Sequence, residues 1–142
     1  MTVKTPIVEI VNAQKLKKLN LKKIKGYLSK IFKILGISKQ VSILFCDNRR
    51  IRNLNRKYFK VNCATDVIAF PLEEDDYLGE VIISVEKAAK SCAKYSNTWE
   101  KELTLYLVHG VLHLVGYNDI KNSDKVKMQS KECEIMKVLY DS

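Results

Sequence analysis

The two histidines of this chain, His109 and His113, stand four residues apart inside the apolar run LTLYLVHGVLHLV, and no other pattern in the sequence narrows its possible folds so far. Positions i and i+4 project from one face of an α-helix, one turn apart. Two imidazoles on so apolar a helix each need a polar partner, and one shared metal ion would satisfy both. Gly116 follows where such a helix would end, and glycine takes the left-handed conformation of helix C-termini cheaply. The turn it permits would bring Asp119 toward the ion as a third ligand. Three protein ligands and one open position describe a catalytic zinc site rather than a structural one. The alternative is a core helix whose histidines are each satisfied by a hydrogen bond.

Around that helix the pattern predicts an α+β domain, a small mixed four-stranded sheet covered by about five helices. Residues 7–12 and 41–46 read as strands. Residues 20–35 read as a helix capped by Asn20, with Leu21, Ile24, Leu28, Ile31 and Leu35 on one stripe and Gly36 at its end. Asp47 is suited to cap a second helix running to about Tyr58. Residues 65–70, ended by Pro71, and residues 80–85 read as a hairpin across an acidic turn. A helix is expected from Val85 to about Tyr95. Asn97 with Glu100 forms a capping box for the histidine helix. Ser123 or Asp124 would cap a last helix, with Val126, Cys133, Met136 and Leu139 turned inward.

With 142 residues and no break in composition, a single domain over residues 1–142 is expected. No apolar run approaches the roughly 20 residues of a membrane span, and the N-terminus lacks the shape of a signal peptide. The four cysteines, Cys46, Cys63, Cys92 and Cys133, are scattered and form no Cys-x-x-Cys pair. Free thiols in a reducing cytoplasm are therefore expected, with Cys63, in a loop, the one to watch for reactivity.

Charge is divided along the chain. Residues 1–60 hold 16 Lys and Arg against Glu9 and Asp47, whereas residues 61–142 hold 9 basic and 14 acidic side chains. A basic half of this strength attracts polyanions, nucleic acid first and anionic membrane second, with a merely solvated lysine-rich surface as the alternative. The segment NRRIRNLNRKYFK, residues 48–60, concentrates the effect. Its arginines suit phosphate oxygens, and its asparagines and tyrosine can engage bases. Arg52, Arg56, Lys57 and Lys60 are the candidate RNA contacts.

The histidine spacing parallels that of zinc peptidases with a His-Glu-x-x-His motif, where the glutamate is the general base. Here that position is Gly110, so a hydrolase built on this site must find its base elsewhere. Asp66 and Glu80 are candidates to orient a ligand or relay a proton, with capping or strand-edge roles as the alternative.

The run HGVLHLVGYND resembles the His-Gly-x-Leu-His-Leu-x-Gly-Tyr-Asp-His signature of the YbeY family, bacterial endoribonucleases linked to ribosomal RNA maturation. Leu54, Asn55, Tyr58, Thr65, Asp66, Val67, Phe70 and Pro71 are similar to a second family segment. LGEVIIS, residues 78–84, is similar to a third, and Met128 falls where the family carries a methionine. The resemblance spans about residues 40–140. It implies a metal-dependent, single-strand-acting endoribonuclease whose partners are ribosomal RNA or its precursor and the ribosomal small subunit, with no membrane and no further small-molecule cofactor. It implies one Zn²⁺ per chain, with another divalent ion as the alternative, held by His109, His113 and Asp119, which act in catalysis through the ion and its water.

Three departures bear on that expectation. Asp119 stands in place of the family's third histidine, and Asn118 in place of an aspartate. A carboxylate ligand lowers the site's positive charge and favours harder ions such as Mn²⁺. Phe59 stands in place of an arginine tied to RNA cleavage, and Lys60 beside it is the candidate replacement cation. Phe59 and Gly110 are the features that favour a rival reading, a non-catalytic RNA-binding ribosome-assembly factor with a structural metal.

Overall fold

The computed structural model describes residues 8–72, 74–92 and 97–140. Strand β1 (Val8–Asn12) leads to helix α1 (Leu21–Leu35), strand β2 (Gln40–Cys46) and helix α2 (Asn48–Phe59). The hairpin of β3 (Val67–Pro71) and β4 (Tyr77–Ser84) follows, then helices α3 (Val85–Ser91), α4 (Trp99–Leu114) and α5 (Asn122–Tyr140). The sheet order is β1-β2-β4-β3. β1, β2 and β4 run parallel, and β3 lies antiparallel at the edge. This is the mixed sheet with five helices that the sequence predicts. Pro71 ends β3 without harm, because an edge strand can lack a ladder donor.

Alternation along β2 and β4 divides the apolar side chains between two faces. Val41, Ile43 and Val81 share the main core with Leu28 of α1, Val111 of α4 and Ile135 of α5. On the other face Cys46, Ile68 and Ile82 form a smaller cluster with Ile51 of α2. The basic helix α2 thus stands on the side of the sheet opposite α1, α4 and α5.

Helix α4 packs on the sheet at a separation that leaves no room for a side chain at Gly110. A Cβ there would lie 2.4 Å from Val81 Cγ1 and 3.0 Å from Val67 Cγ2. Gly110 is therefore a packing residue, and its side of the helix is turned to the strands.

The helix starts test the capping arguments. Asn20 accepts from the Lys23 N–H at 3.1 Å and Asp47 from the Arg50 N–H at 2.9 Å, as expected. At α4 the cap is Thr98, not Asn97: the Thr98 hydroxyl accepts from the Lys101 N–H at 3.2 Å. Asn97 instead donates through Nδ2 to Glu102 at 3.3 Å. Helix α5 begins at Asn122, which puts Ser123 and Asp124 inside its first turn rather than at the cap. Its buried stripe is Met128, Ile135 and Leu139, with Met136 half-buried at its margin. Val126 is 62% exposed and Cys133 lies in water, contrary to expectation. Helix α3 is observed to Ser91. The expected continuation over 93–95 and the first residue of the expected strand 7–12 lie outside the described residues.

All four cysteines are free. Burial pushes the Cys46 thiol up to about 12, which makes it inert, while Cys63 and Cys133 are exposed. Among the described residues no helix is long and apolar enough to cross a membrane.

Candidate metal centre

The site is built at the C-terminal end of α4, beside edge strand β3. The last turn of α4 closes as a Schellman motif, with the Tyr117 N–H donating to the Leu112 carbonyl at 3.0 Å and the Gly116 N–H to that of His113 at 3.1 Å. Gly116 takes a φ of 102°. A Cβ there would meet nothing within 4 Å, so the backbone conformation alone calls for glycine. The reversal carries Asp119 back over the end of the helix.

His109 Nε2 and His113 Nε2 converge to 3.0 Å. Their rings are 4.6 Å apart at 74°. One ligand atom from each of His109, His113 and Asp119 lies within 4.8 Å of the others. A tetrahedral ion with bonds of about 2.0–2.1 Å needs nitrogens roughly 3.3 Å apart, which this histidine pair meets within a few tenths of an ångström. The Asp119 carboxylate, exposed at the edge of the pair, lies within 4.8 Å of both. Two imidazoles and one carboxylate are also the donor chemistry of a divalent transition-metal site.

A residue that the sequence pattern did not single out completes the arrangement. Glu132 of α5 accepts a hydrogen bond from His109 Nδ1. That contact leaves the lone pair of His109 Nε2 free to face the ion, as in carboxylate–histidine–metal triads. Burial lowers the pKa of His109, but the Glu132 hydrogen bond and charge, helped by Asp66 and Asp119, more than reverse this and raise it. His113 is held below its ordinary value by burial and by the charge of His109, partly offset by Asp119. His113 is thus favoured as the neutral imidazole that a metal needs, and an ion at the site would compete with protons for both rings.

Different surroundings flank the two histidines. His109 opens on a cavity of about 450 Å³ walled by Asp66, Glu102, Tyr106 and Glu132. Burial pushes the Tyr106 phenol up to about 12, so it stays neutral there. Asp66 also accepts from the Val67 N–H at 2.7 Å and the Thr65 hydroxyl at 3.2 Å, which anchors the start of β3. His113 opens on a cavity of about 320 Å³ shared with Asn55 and Phe59 of α2.

Glu80 does not join the site. It projects from β4 on the face of α2, beside Ile82 and Arg50, and its alternation with Val81 sends it away from α4. Arg52, Arg56, Lys57 and Lys60 are all exposed on α2. None of the four pairs with a described carboxylate. Lys60 ends α2 in the left-handed conformation, its N–H returning to the Arg56 carbonyl at 3.2 Å.

Comparison with known proteins agrees with this architecture. The family described as Endoribonuclease YbeY matches residues 8–140. Among curated proteins named Endoribonuclease YbeY, that of Endomicrobium trichonymphae is 40% identical over 101 residues, covering 71% of this chain and 72% of that protein. That of Carboxydothermus hydrogenoformans is 40% identical over 107 residues, covering 73% and 75%. A Clostridium botulinum relative of the same name is 34% identical over 129 residues, covering 74% and 78%. The solution structure of TM1509 from Thermotoga maritima superposes with a TM-score of 0.69 over 95% of this chain and 90% of that one, at 24% identity, and so shares the fold. With the match running from the first described strand to the end of the last helix, this chain belongs to the YbeY family.

Proposed function

We propose that the protein is a metal-dependent endoribonuclease acting on unpaired segments of ribosomal RNA or its precursor, in association with the ribosomal small subunit. The observation that carries this reading is the convergence of His109 and His113 Nε2 with the Asp119 carboxylate, in a chain of this family. The ribosomal substrate rests on the family resemblance.

His109, His113 and Asp119 are the residues that would hold Zn²⁺, one per chain. The ion would supply Lewis acidity toward a water molecule and a phosphoryl oxygen. Glu132 fixes the tautomer and direction of His109. Asp66, on the wall of the cavity at His109, is the proton acceptor that takes over from the base Gly110 cannot provide. Arg52, Arg56, Lys57 and Lys60 hold the RNA backbone from α2. Asp119 in place of a third imidazole leaves the site open to harder ions.

The test is incubation of a structured ribosomal RNA fragment with purified protein, with and without chelator, beside His113→Ala. Cleavage that disappears with chelator, returns with added Zn²⁺ and is missing from His113→Ala is the expected result. If the wild-type protein shows no chelator-sensitive cleavage, the assembly-factor reading replaces this one.

A further inference from the structure

Phe59 is a large apolar side chain left half in water at the last turn of α2, with 50% of its surface exposed. Its ring is not loose. It stacks on Phe70 of β3, with centroids 5.7 Å apart and planes within 14° of parallel. Tyr58, 55% exposed, meets the same Phe70 edge-on at 5.2 Å. One side of Phe59 is therefore backed by a second ring while the other fraction of its surface faces solvent. The same ring lines the cavity that reaches His113, together with Asn55, Thr65 and Pro71.

Charge gives this corner a direction. On the His109 side, Asp66, Glu102 and Glu132 wall the cavity and repel a polyanion. On the His113 side, Arg56, Lys57 and Lys60 are exposed on the turn of α2 that carries Phe59. A nucleic-acid strand is drawn to the α2 side and held off the acidic side. Its bases then meet an exposed, backed aromatic ring beside the histidine pair.

We infer that Phe59, backed by Phe70, is a stacking platform for an unpaired RNA base next to the phosphodiester that sits at the metal centre. The inference rests on the endoribonuclease reading and adds to it a residue that selects for single-stranded substrate. A base inside a duplex has both faces covered by its neighbours, so it has none to offer this ring. Any base has a π-face, so the platform is indifferent to sequence. Where an arginine would add a phosphate contact, phenylalanine adds stacking without charge. Its loss should therefore weaken binding without altering salt dependence.

The experiment uses the full chain, chelator-treated to prevent cleavage, and a short oligoribonucleotide carrying a fluorescent adenine analogue whose emission falls on stacking. Phe59→Leu keeps an apolar cover over Phe70 but removes the ring, whereas Phe59→Trp keeps a ring. Phe59→Leu is expected to weaken single-strand binding roughly tenfold and to abolish quenching, with an unchanged salt slope. Phe59→Trp should retain both binding and quenching, and duplex of the same length should bind all three proteins equally. Unchanged affinity and quenching in Phe59→Leu would overturn the inference, as would equal losses for single strand and duplex. Cleavage is scored separately on the metal-loaded wild type. Quenching that depends on residue 59 without chelator-sensitive cleavage retires the nuclease reading alone. Cleavage with an inert Phe59→Leu retires the platform alone.

Discussion

Glu132 decides which nitrogen of His109 can reach an ion. By engaging Nδ1, it leaves Nε2 as the only free donor and aims it at the Nε2 of His113. Glu132→Gln preserves the size of the side chain and removes its charge. Metal affinity should fall roughly 10- to 100-fold, as when the carboxylate behind a metal-ligating histidine is altered elsewhere. Competition against a chromophoric chelator measures it, and an unshifted dissociation constant would mean that Glu132 does not tune the ion. The convergence of the two histidines was legible in the sequence, because their spacing and the following glycine are local signals. Glu132 was not, because a hydrogen bond between residues 23 apart on two different helices leaves no local trace.

Helix α2 is the element on which RNA affinity should depend. Its four candidate contacts are exposed and unopposed by any described carboxylate. Neutralising Arg52, Arg56, Lys57 and Lys60 together should weaken RNA binding. It should also reduce the log–log salt slope by about 0.7 for each single-strand phosphate that these side chains had neutralised. An unaltered slope would move the backbone contact off this helix. The two helices whose limits were read well, α1 and α2, carry their own punctuation in Asn20, Gly36 and Asp47. Helix α5 lacks it and offers competing stripes. The residues at 126, 133 and 136 look as apolar as those at 128, 135 and 139, and only packing against α4 and α1 chooses between them. Taking the stripe of Met128, Ile135 and Leu139 places Glu132 on the same face, four residues after Met128 and three before Ile135. A carboxylate on a buried stripe therefore marks Glu132 only once packing has chosen that stripe, which the sequence alone leaves open. At the start of α4, Asn97 and Thr98 are both competent caps, and the neighbouring Glu102 draws Asn97 away. Glu80 takes the strand role that the sequence leaves open, because alternation assigns a residue to one of two faces without saying which face carries the site.

For the whole molecule, an ion at the proposed centre would tie three parts of the chain together: α4 through its histidines, the loop through Asp119, and α5 through Glu132. Binding only to the folded state stabilises it by mass action, about 4 kcal/mol at a free ion concentration a thousand times the dissociation constant. For a chain of this size the melting temperature should then drop on the order of 10 °C when the ion is removed. Calorimetry with Zn²⁺ and with chelator measures the difference, and His109→Ala/His113→Ala should show none. Equal melting of the wild type in both conditions would leave the centre without a folded-state ligand.

The packing of Gly110 bounds which reactions this scaffold can acquire. To place a glutamate after the first histidine, as zinc peptidases do, the helix would have to lift away from Val81 and Val67. Both imidazoles ride on that helix and would move with it, away from β3 and from the cavity shared with α2. A change toward peptide hydrolysis would thus dismantle the site it was meant to equip. The depth at which one helix sits on the sheet keeps that neighbouring chemistry out of evolutionary reach by any single substitution.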